Sequence, residues 1–307
     1  MSQKTSSAPL FGGAEDPKRG REVLAALAET YPQLYLTPGP EGAKLYGGIV
    51  RSGEDAPEHS LSGFHSNEDD TLEFERTPAG TVPVITLRER EDFERFLRLM
   101  AHKGENAGIP ATQGAAILDG VINWTKIRAH EAEFFASGGK KPDWDAELER
   151  FLSVKENYRD ALIVLSWGPY SAVPAEETEY PEEEWLPISH VIRKTHECTH
   201  FICRRLFPEL KDAVWDELVA DAVGITAALG HFDRALAERF LGIREGRYTR
   251  GRLENYVPDG DRSALDAAAG KAEAVLRRFE TVLAKEFGGI YSLPARLEEE
   301  IGCWKQS

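Results

Sequence analysis

The sequence predicts an α+β fold that is mostly helical, with a small sheet next to a helix pair that carries a metal site. Three observations support this prediction. Apolar residues recur at helical spacing through much of the chain. The segment A-L-I-V-L at Ala161–Leu165 is short, apolar and partly β-branched, as expected for a buried strand. Further along, two consecutive helical patterns carry histidines and carboxylates at metal-ligand spacing.

The composition limits the possible partners. The 307 residues include 37 Lys and Arg against 52 Asp and Glu, a formal net charge of −15. This charge argues against nucleic acid and anionic membrane surfaces as partners. No apolar run approaches the roughly 18 residues that a membrane span needs. The N-terminus lacks the apolar core of a signal peptide, and the three cysteines make no disulfide framework. The sequence therefore indicates a cytoplasmic protein that does not bind membranes.

The N-terminal half is predicted to contain a tail and one α+β region. Residues 1–16 are rich in Ser, Gly and Pro, so we expect a disordered tail there, followed by an α+β region over residues 17–136. Because proline has no backbone N–H, Pro83 should confine its strand to a sheet edge. The short strands or extended pieces of this region are expected at Leu34–Leu36, Lys44–Val50, Thr71–Glu75 and Thr81–Ile85.

Helical periodicity and capping residues predict the remaining elements outside the metal site. The Gly- and Lys-rich segment 137–142 should end the N-terminal region, and a second region should cover residues 143–307. Helices are expected at Arg19–Thr30, from the N-cap Thr86 to about His102, at Thr112–Ala136, at Asp145–Tyr158, and at Ser263–Phe287 with Ser263 as its N-cap.

The segment Thr195–Phe201, T-H-E-C-T-H-F, contains an H-E-x-x-H motif. It lies in a helix expected from about Ile188 to Arg205, with Pro187 in the first turn, where a missing N–H costs nothing. Residues i and i+4 share one helix face, so His196 and His200 can bind one zinc ion. Glu197, the next residue, can reach the water bound to that ion. The alternative is a helix that carries two histidines without a metal.

A third zinc ligand must come from another element. Cys203 lies on nearly the same helix face, but about 7.5 Å along the axis from the level of the metal, which is too far for a Zn–S bond. The next predicted helix, Ala213–Leu229, carries Glu217, Asp221 and Gly224 on one stripe. Glu217 can be the third ligand, Asp221 can orient a ligand histidine, and Gly224 can let the helices approach closely. Alternatively, the two acids are solvated surface residues.

The pairing of H-E-x-x-H with E-x-x-x-D on the next helix resembles the gluzincin class of zinc metallopeptidases, the thermolysin-like group. The matching residues are His196, Glu197, His200, Glu217 and Asp221, and the resemblance covers about residues 161–229. It implies that residues 143–307 form a zincin-like catalytic region that cleaves a peptide or protein substrate with zinc as cofactor. The third histidine that metzincins require after the motif is absent, so that class does not fit.

In this hypothesis Glu197 is the general base. A donor for the oxyanion is also needed, and the candidates are His231 and the segment 247–256, in which Tyr248 is the first tyrosine. The segment Ser166–Tyr170 could line the substrate cleft. A ferritin-like di-iron site is the weaker metal hypothesis, because the chain has no second E-x-x-H. The main alternative function is a non-catalytic, zinc-stabilised binding or regulatory domain.

Overall fold

The computed structural model describes residues 16–209, 212–257 and 261–301. These residues form an α+β fold that is mostly helical with a small mixed sheet, which confirms the predicted fold class. None of their helices combines the length and the apolar character needed to cross a membrane. The expected disordered tail, residues 1–16, lies outside the described residues except for Asp16.

Backbone contacts divide the chain into two units. The first consists of residues 16–74, 82–110 and 117–166, and the second of residues 75–81, 111–116 and the described residues from 167 onward. The division after Ser166 differs from the boundary expected at residues 137–142. The Gly- and Lys-rich segment 137–142 lies inside the first unit.

Five strands of the described residues form one sheet, and most of its residues belong to the first unit. The strand order is β1-β2-β3-β5-β4; β1 pairs antiparallel with β2, and β3 pairs parallel with β5. The strands are β1 (Lys18–Arg19), β2 (Thr71–Thr77), β3 (Gly80–Leu87), β4 (Ala115–Ile122) and β5 (Arg159–Ser166).

The predicted strand at 161–165 is confirmed within β5, which is buried from Asp160 to Ser166. The expectation that Pro83 confines its strand to a sheet edge is wrong, because β3 lies between β2 and β5. Pro83 precedes Val84, the first residue of β3 that pairs with β5. Its missing N–H therefore does not interrupt that ladder.

The helices of the first unit show where single residues override the predicted pattern. The piece expected to be extended at Lys44–Val50 is helical, because Pro40 starts the helix and Gly53, with φ +69°, ends it in the left-handed conformation. Leu34–Leu36, expected as a strand, is mostly part of a 3₁₀ turn. The helices are α1 (Arg21–Thr30), α2 (Pro40–Ser52), α3 (Arg90–Met100), α4 (Trp124–Ala136) and α5 (Trp144–Leu152).

The long helix expected at Thr112–Ala136 is wrong in its first half, which forms β4. The break comes at Asn123, whose side chain accepts hydrogen bonds from the N–H groups of Thr125 and Lys126 and so caps α4. The expected N-cap at Thr86 is also wrong. Thr86 lies in β3, where it pairs with Leu165 of β5. The next helix, α3, begins later, after Glu89.

The second unit contains the helix pair α6 (Glu182–Leu206) and α7 (Ala213–Leu229), and the bounds of α7 agree with the prediction. Helix α6 begins at Glu182, earlier than the expected start at about Ile188, so Pro187 lies inside it. Large buried side chains, including Trp185 and Trp215, form the core around the pair. The remaining elements are α8 (Arg234–Leu241), β6 (Ile243–Arg244), β7 (Arg247–Tyr248), α9 (Arg262–Leu283) and α10 (Leu293–Ile301).

Candidate metal centre

Helices α6 and α7 bring three potential metal ligands together. His196 and His200 lie one turn apart on α6, and their Nε2 atoms are 2.9 Å from each other. On α7, Glu217 places Oε2 3.5 Å from Nε2 of His196 and Oε1 3.3 Å from Nε2 of His200. Among the described residues, these three form the group of histidine, cysteine and acidic side chains that could hold a metal ion.

The spacing of these ligand atoms fits a tetrahedral zinc site. Zinc lies about 2.0–2.2 Å from histidine nitrogen and carboxylate oxygen, so tetrahedral ligand atoms are about 3.3 Å apart. The observed separations of 2.9–3.5 Å, in which each histidine faces a different oxygen of Glu217, lie around this value. Both histidines are buried and Glu217 is partly buried, with exposed fractions of 4% for His196, 6% for His200 and 13% for Glu217. The donor set, two imidazoles and one carboxylate, is typical of catalytic zinc.

His196 is held by hydrogen bonds on its other ring nitrogen. Its Nδ1 lies 2.9 Å from Oδ1 of Asp221 and 2.8 Å from the hydroxyl of Tyr170, and that hydroxyl donates to the same Asp221 oxygen over 2.7 Å. With acceptors on this side, the ring carries its proton on Nδ1 and leaves the Nε2 lone pair free for a metal. The expected orienting role of Asp221 thus has the geometry that it requires.

His200 is oriented in the same way by a different carboxylate. Its Nδ1 lies 2.7 Å from Oδ2 of Asp216, a half-exposed residue of α7. The hydrogen bonds to Asp216 and Glu217 hold the pKa of the metal-free His200 well above its usual range, although burial acts in the opposite direction. Both histidines therefore present Nε2 toward Glu217 and anchor Nδ1 to a carboxylate.

Arg252 supplies positive charge behind the two acids. Its Nη2 donates to both carboxylate oxygens of Asp221, at 2.7 and 2.6 Å, and its Nη1 lies 3.4 Å from Oε2 of Glu217. Burial alone would raise the pKa of Asp221, but the charge of Arg252 and the hydrogen bond from His196 lower it. The pKa of Glu217 is also lowered: burial is outweighed by the hydrogen bond from His200 and by nearby positive charge. Both acids are therefore ionised at neutral pH.

The candidate base has a different environment from the ligands. Glu197 is half-buried, and its carboxylate has no hydrogen bond or ion pair with a described residue. Tyr256 lies close enough to Glu217 and Asp221 for their negative charges to act on its hydroxyl. Burial raises the pKa of Tyr256, so its hydroxyl keeps its proton and can act as a donor near the ligand group.

The two residues proposed to stabilise the oxyanion do not join this group. His231 is exposed beyond the end of α7 and contacts the carbonyl of Leu229, about 18 Å along the helix axis from Glu217. The hydroxyl of Tyr248 is hydrogen-bonded to the Gly251 carbonyl and to Glu254. Neither side chain contacts the ligand group, whereas Arg252 and Tyr256, from the same segment as Tyr248, lie next to Glu217.

Three members of the site were missed from the sequence. Tyr170 follows a strand and has no fixed spacing to His196, so only its place in the expected cleft segment indicated a role. Arg252 lies in the Arg- and Tyr-rich segment that was singled out, but the segment does not show which arginine turns inward. Asp216 directly precedes Glu217, and two successive acids on an apolar helix were a signal that could have found it.

A family model covers most of the chain: residues 16–288 match a family of unknown function, DUF7005. Neither a curated protein nor a solved structure matches the chain. The match includes α6, α7 and the segment with Arg252, and so the whole candidate metal centre. The chain therefore belongs to the DUF7005 family.

Proposed function

We propose that this protein is a zinc-dependent hydrolase, specifically a peptidase, in which His196, His200 and Glu217 hold the metal and Glu197 is the general base. The observation that carries the proposal is the convergence of two histidine nitrogens and the Glu217 carboxylate, with separations of 2.9–3.5 Å between nitrogens and from each nitrogen to a carboxylate oxygen. Each histidine also has its second nitrogen bonded to a carboxylate. No fourth histidine, cysteine or acid of the described residues joins the group, and a catalytic zinc site needs such an open position.

The residues around the ligands have separate roles in this proposal. Zinc, when bound, would polarise the scissile carbonyl and lower the pKa of the attacking water. Glu197, which is not a ligand, would accept a proton from that water and pass it to the leaving amine. Tyr256 and Arg252 would donate hydrogen bonds to the negative charge that develops on the carbonyl oxygen. Tyr170 and Asp221 would keep His196 in the tautomer that a ligand requires.

The substitution Glu197→Gln tests this function. It should keep the fold and the zinc content, because Glu197 is not among the ligand group. Cleavage should fall by about 10²–10⁴, since an amide cannot act as the base. The measurement is mass spectrometry of a peptide library incubated with zinc-loaded wild type and variant, with a chelated sample as the control. Undiminished cleavage by the variant would exclude Glu197 as the base.

A second candidate function is supported by the burial of the ligands. His196 and His200 have side chains that are only 4% and 6% exposed, which also suits a structural zinc site in a binding or regulatory domain. In that case the wild-type protein would bind zinc but cleave no member of the library. Glu197→Gln would then change neither zinc content nor partner binding.

A further inference from the structure

A cavity of about 1310 Å³ opens beside the candidate metal centre, within the second unit. Its walls come from α8, α9, the β6–β7 turn and the segments 171–174 and 249–255. The three potential ligands do not line it. Arg252 does, and its guanidinium also contacts Asp221 and Glu217. The cavity is therefore separated from the ligand group by one side chain.

The charges in the cavity wall are equal in number and largely paired. The lining includes five arginines and five glutamates, in a chain whose net charge is −15. Four of the glutamates have partners: Glu177 with Arg239, Glu273 with Arg277, Glu238 with Arg234, and Glu254 with the Tyr248 hydroxyl.

Two exposed arginines of the wall, Arg244 and Arg250, have no carboxylate partner among the described residues. The remaining glutamate, Glu245, lies at the β6–β7 turn. The buried Nε of Arg252 likewise has no hydrogen-bond partner in the described part of the chain. An unsatisfied buried donor calls for an acceptor, which a ligand or a water molecule in the cavity could supply. All three groups are guanidinium donors, which bind planar carboxylates well.

A strained turn lies in the same wall. Ser171 and Ala172 have φ angles of +55° and +56°, which residues other than glycine rarely adopt. The turn is fixed on both sides. Its Ser171 hydroxyl donates to the Phe240 carbonyl, and the indole N–H of Trp185 donates to the Val173 carbonyl. Strain that the surroundings hold in place is typical of ligand sites.

We propose that this cavity binds a carboxylate of the substrate through Arg244 and Arg250, and so selects peptides that carry a negative charge near the scissile bond. The inference rests on the proposed peptidase function. Arg250 and Arg252 are two residues apart, which limits their Cα separation to about 7 Å. Since an extended peptide advances about 3.3–3.6 Å per residue, the carboxylate would lie within a few residues of the bond that is cleaved. It is either the C-terminal carboxylate or an acidic side chain.

Binding can be measured without cleavage by using immobilised, zinc-loaded Glu197→Gln protein. Three pools of N-acetylated octapeptides, randomised without Asp or Glu, serve as probes. The first pool has a C-terminal amide, the second a free C-terminal carboxylate, and the third an amide plus one Glu at a random position. Peptides retained from each pool are quantified by mass spectrometry.

The second or the third pool should be retained at least about 10-fold more than the first, since a charge-assisted hydrogen bond contributes about 10- to 100-fold in affinity. Which of the two is enriched identifies the source of the carboxylate. The double substitution Arg244→Gln and Arg250→Gln should abolish the enrichment. Arg247→Gln should preserve it, because Arg247 is an exposed arginine of β7 outside the cavity wall. Equal unfolding temperatures of the two variants would verify that both are folded.

Equal retention of the three pools, or retention of none, would overturn the inference, as would enrichment that survives the double substitution. The proposed function fails separately. If the wild type cleaves no pool while the enrichment depends on Arg244 and Arg250, the cavity binds carboxylates but the protein is not a peptidase. If the wild type cleaves the neutral pool as well as the charged ones, the peptidase stands and the carboxylate site does not.

Discussion

A Cβ atom at Gly224 of α7 would lie 2.8 Å from the carbonyl oxygen of Ile192 on α6. Real Cβ atoms essentially never approach another atom so closely. The glycine therefore permits the helix spacing that brings Glu217 to the two histidines. The sequence prediction that Gly224 allows a close helix approach is confirmed.

Gly224→Ala should push α6 and α7 apart. Overpacking of this kind costs about 1–3 kcal/mol of unfolding free energy, so thermal unfolding should occur at a lower temperature, and zinc affinity should fall with it. Gly47→Ala is the matched control, since Gly47 lies in α2 with nothing within 4 Å of its added Cβ. This control should be neutral or stabilising by up to about 1 kcal/mol. Equal effects of the two substitutions would contradict the packing argument.

The ligand assignment can be tested by metal content. Glu217→Ala should sharply weaken zinc binding, because it removes one of three ligand atoms, whereas Cys203→Ser should leave about one zinc per chain. Cys203 is buried, and burial raises the pKa of its thiol to about 12, so it supplies no thiolate at neutral pH. Elemental analysis and competition with a chromogenic chelator give the stoichiometry and the affinity. A Glu217→Ala protein with unchanged zinc affinity would refute the assignment.

The hydroxyl of Tyr170 should contribute to metal affinity through His196. Tyr170→Phe keeps the ring packing but removes the group that bonds both Nδ1 of His196 and Asp221. Loss of such an orienting partner typically costs about 10- to 100-fold in metal affinity or activity. Tyr248→Phe is the control, because that hydroxyl bonds Gly251 and Glu254 instead. A larger loss in Tyr248→Phe than in Tyr170→Phe would restore Tyr248 as the catalytic candidate.

In the first unit, the fully buried Asp70 should make stability depend on pH. Burial raises the pKa of its carboxyl from 3.8 to about 6, and the negative charge of Asp92 adds to the rise. The folded protein thus binds this proton more tightly than the unfolded chain, so the stability contribution falls as the pH rises from about 4 to about 6. Above pH 6 the loss is complete, and it amounts to about 1–3 kcal/mol.

Asp70→Asn should therefore stabilise the protein at pH 8 and have little effect at pH 4, where Asp70 is already neutral. The amide oxygen can still accept the hydrogen bond from the Arg88 N–H. Denaturant titrations at both pH values measure the difference, and the exposed neighbour in Asp69→Asn is the control. If the Asp70→Asn effect is the same at both pH values, the buried carboxyl does not titrate as described.

The sequence was most informative where one periodicity continued without interruption. The bounds of α7 and the three ligand residues follow from helical spacing and from the coordination that zinc requires. The prediction failed at residues 112–122, which were expected to be helical and largely form a strand, and at residues 44–50, which were expected to be extended and form a helix. The cap at Asn123 and the proline at position 40 mark the observed starts of the helices. Hydrophobic periodicity does not encode such effects of single side chains.

The residues that orient the metal ligands were harder to predict from the sequence, for a different reason. Tyr170 and Arg252 approach His196 and Asp221 from segments without regular spacing. Their contacts depend on how the chain enters α6 and how it returns to the pair after α7. A motif fixes the distance between residues on one helix, and it says nothing about which loops pack behind that helix.

All three ligand candidates lie between residues 196 and 217 on two consecutive, packed helices. A metal bound there would cross-link a short loop between neighbours that already touch, so it would remove less conformational freedom from the unfolded chain than a link between distant segments. The helix pair gains its stability from its own apolar core. We therefore expect that an ion in such a site could leave and return without unfolding of the protein. Metal supply in the cell, rather than protein synthesis, would then decide how many molecules are loaded.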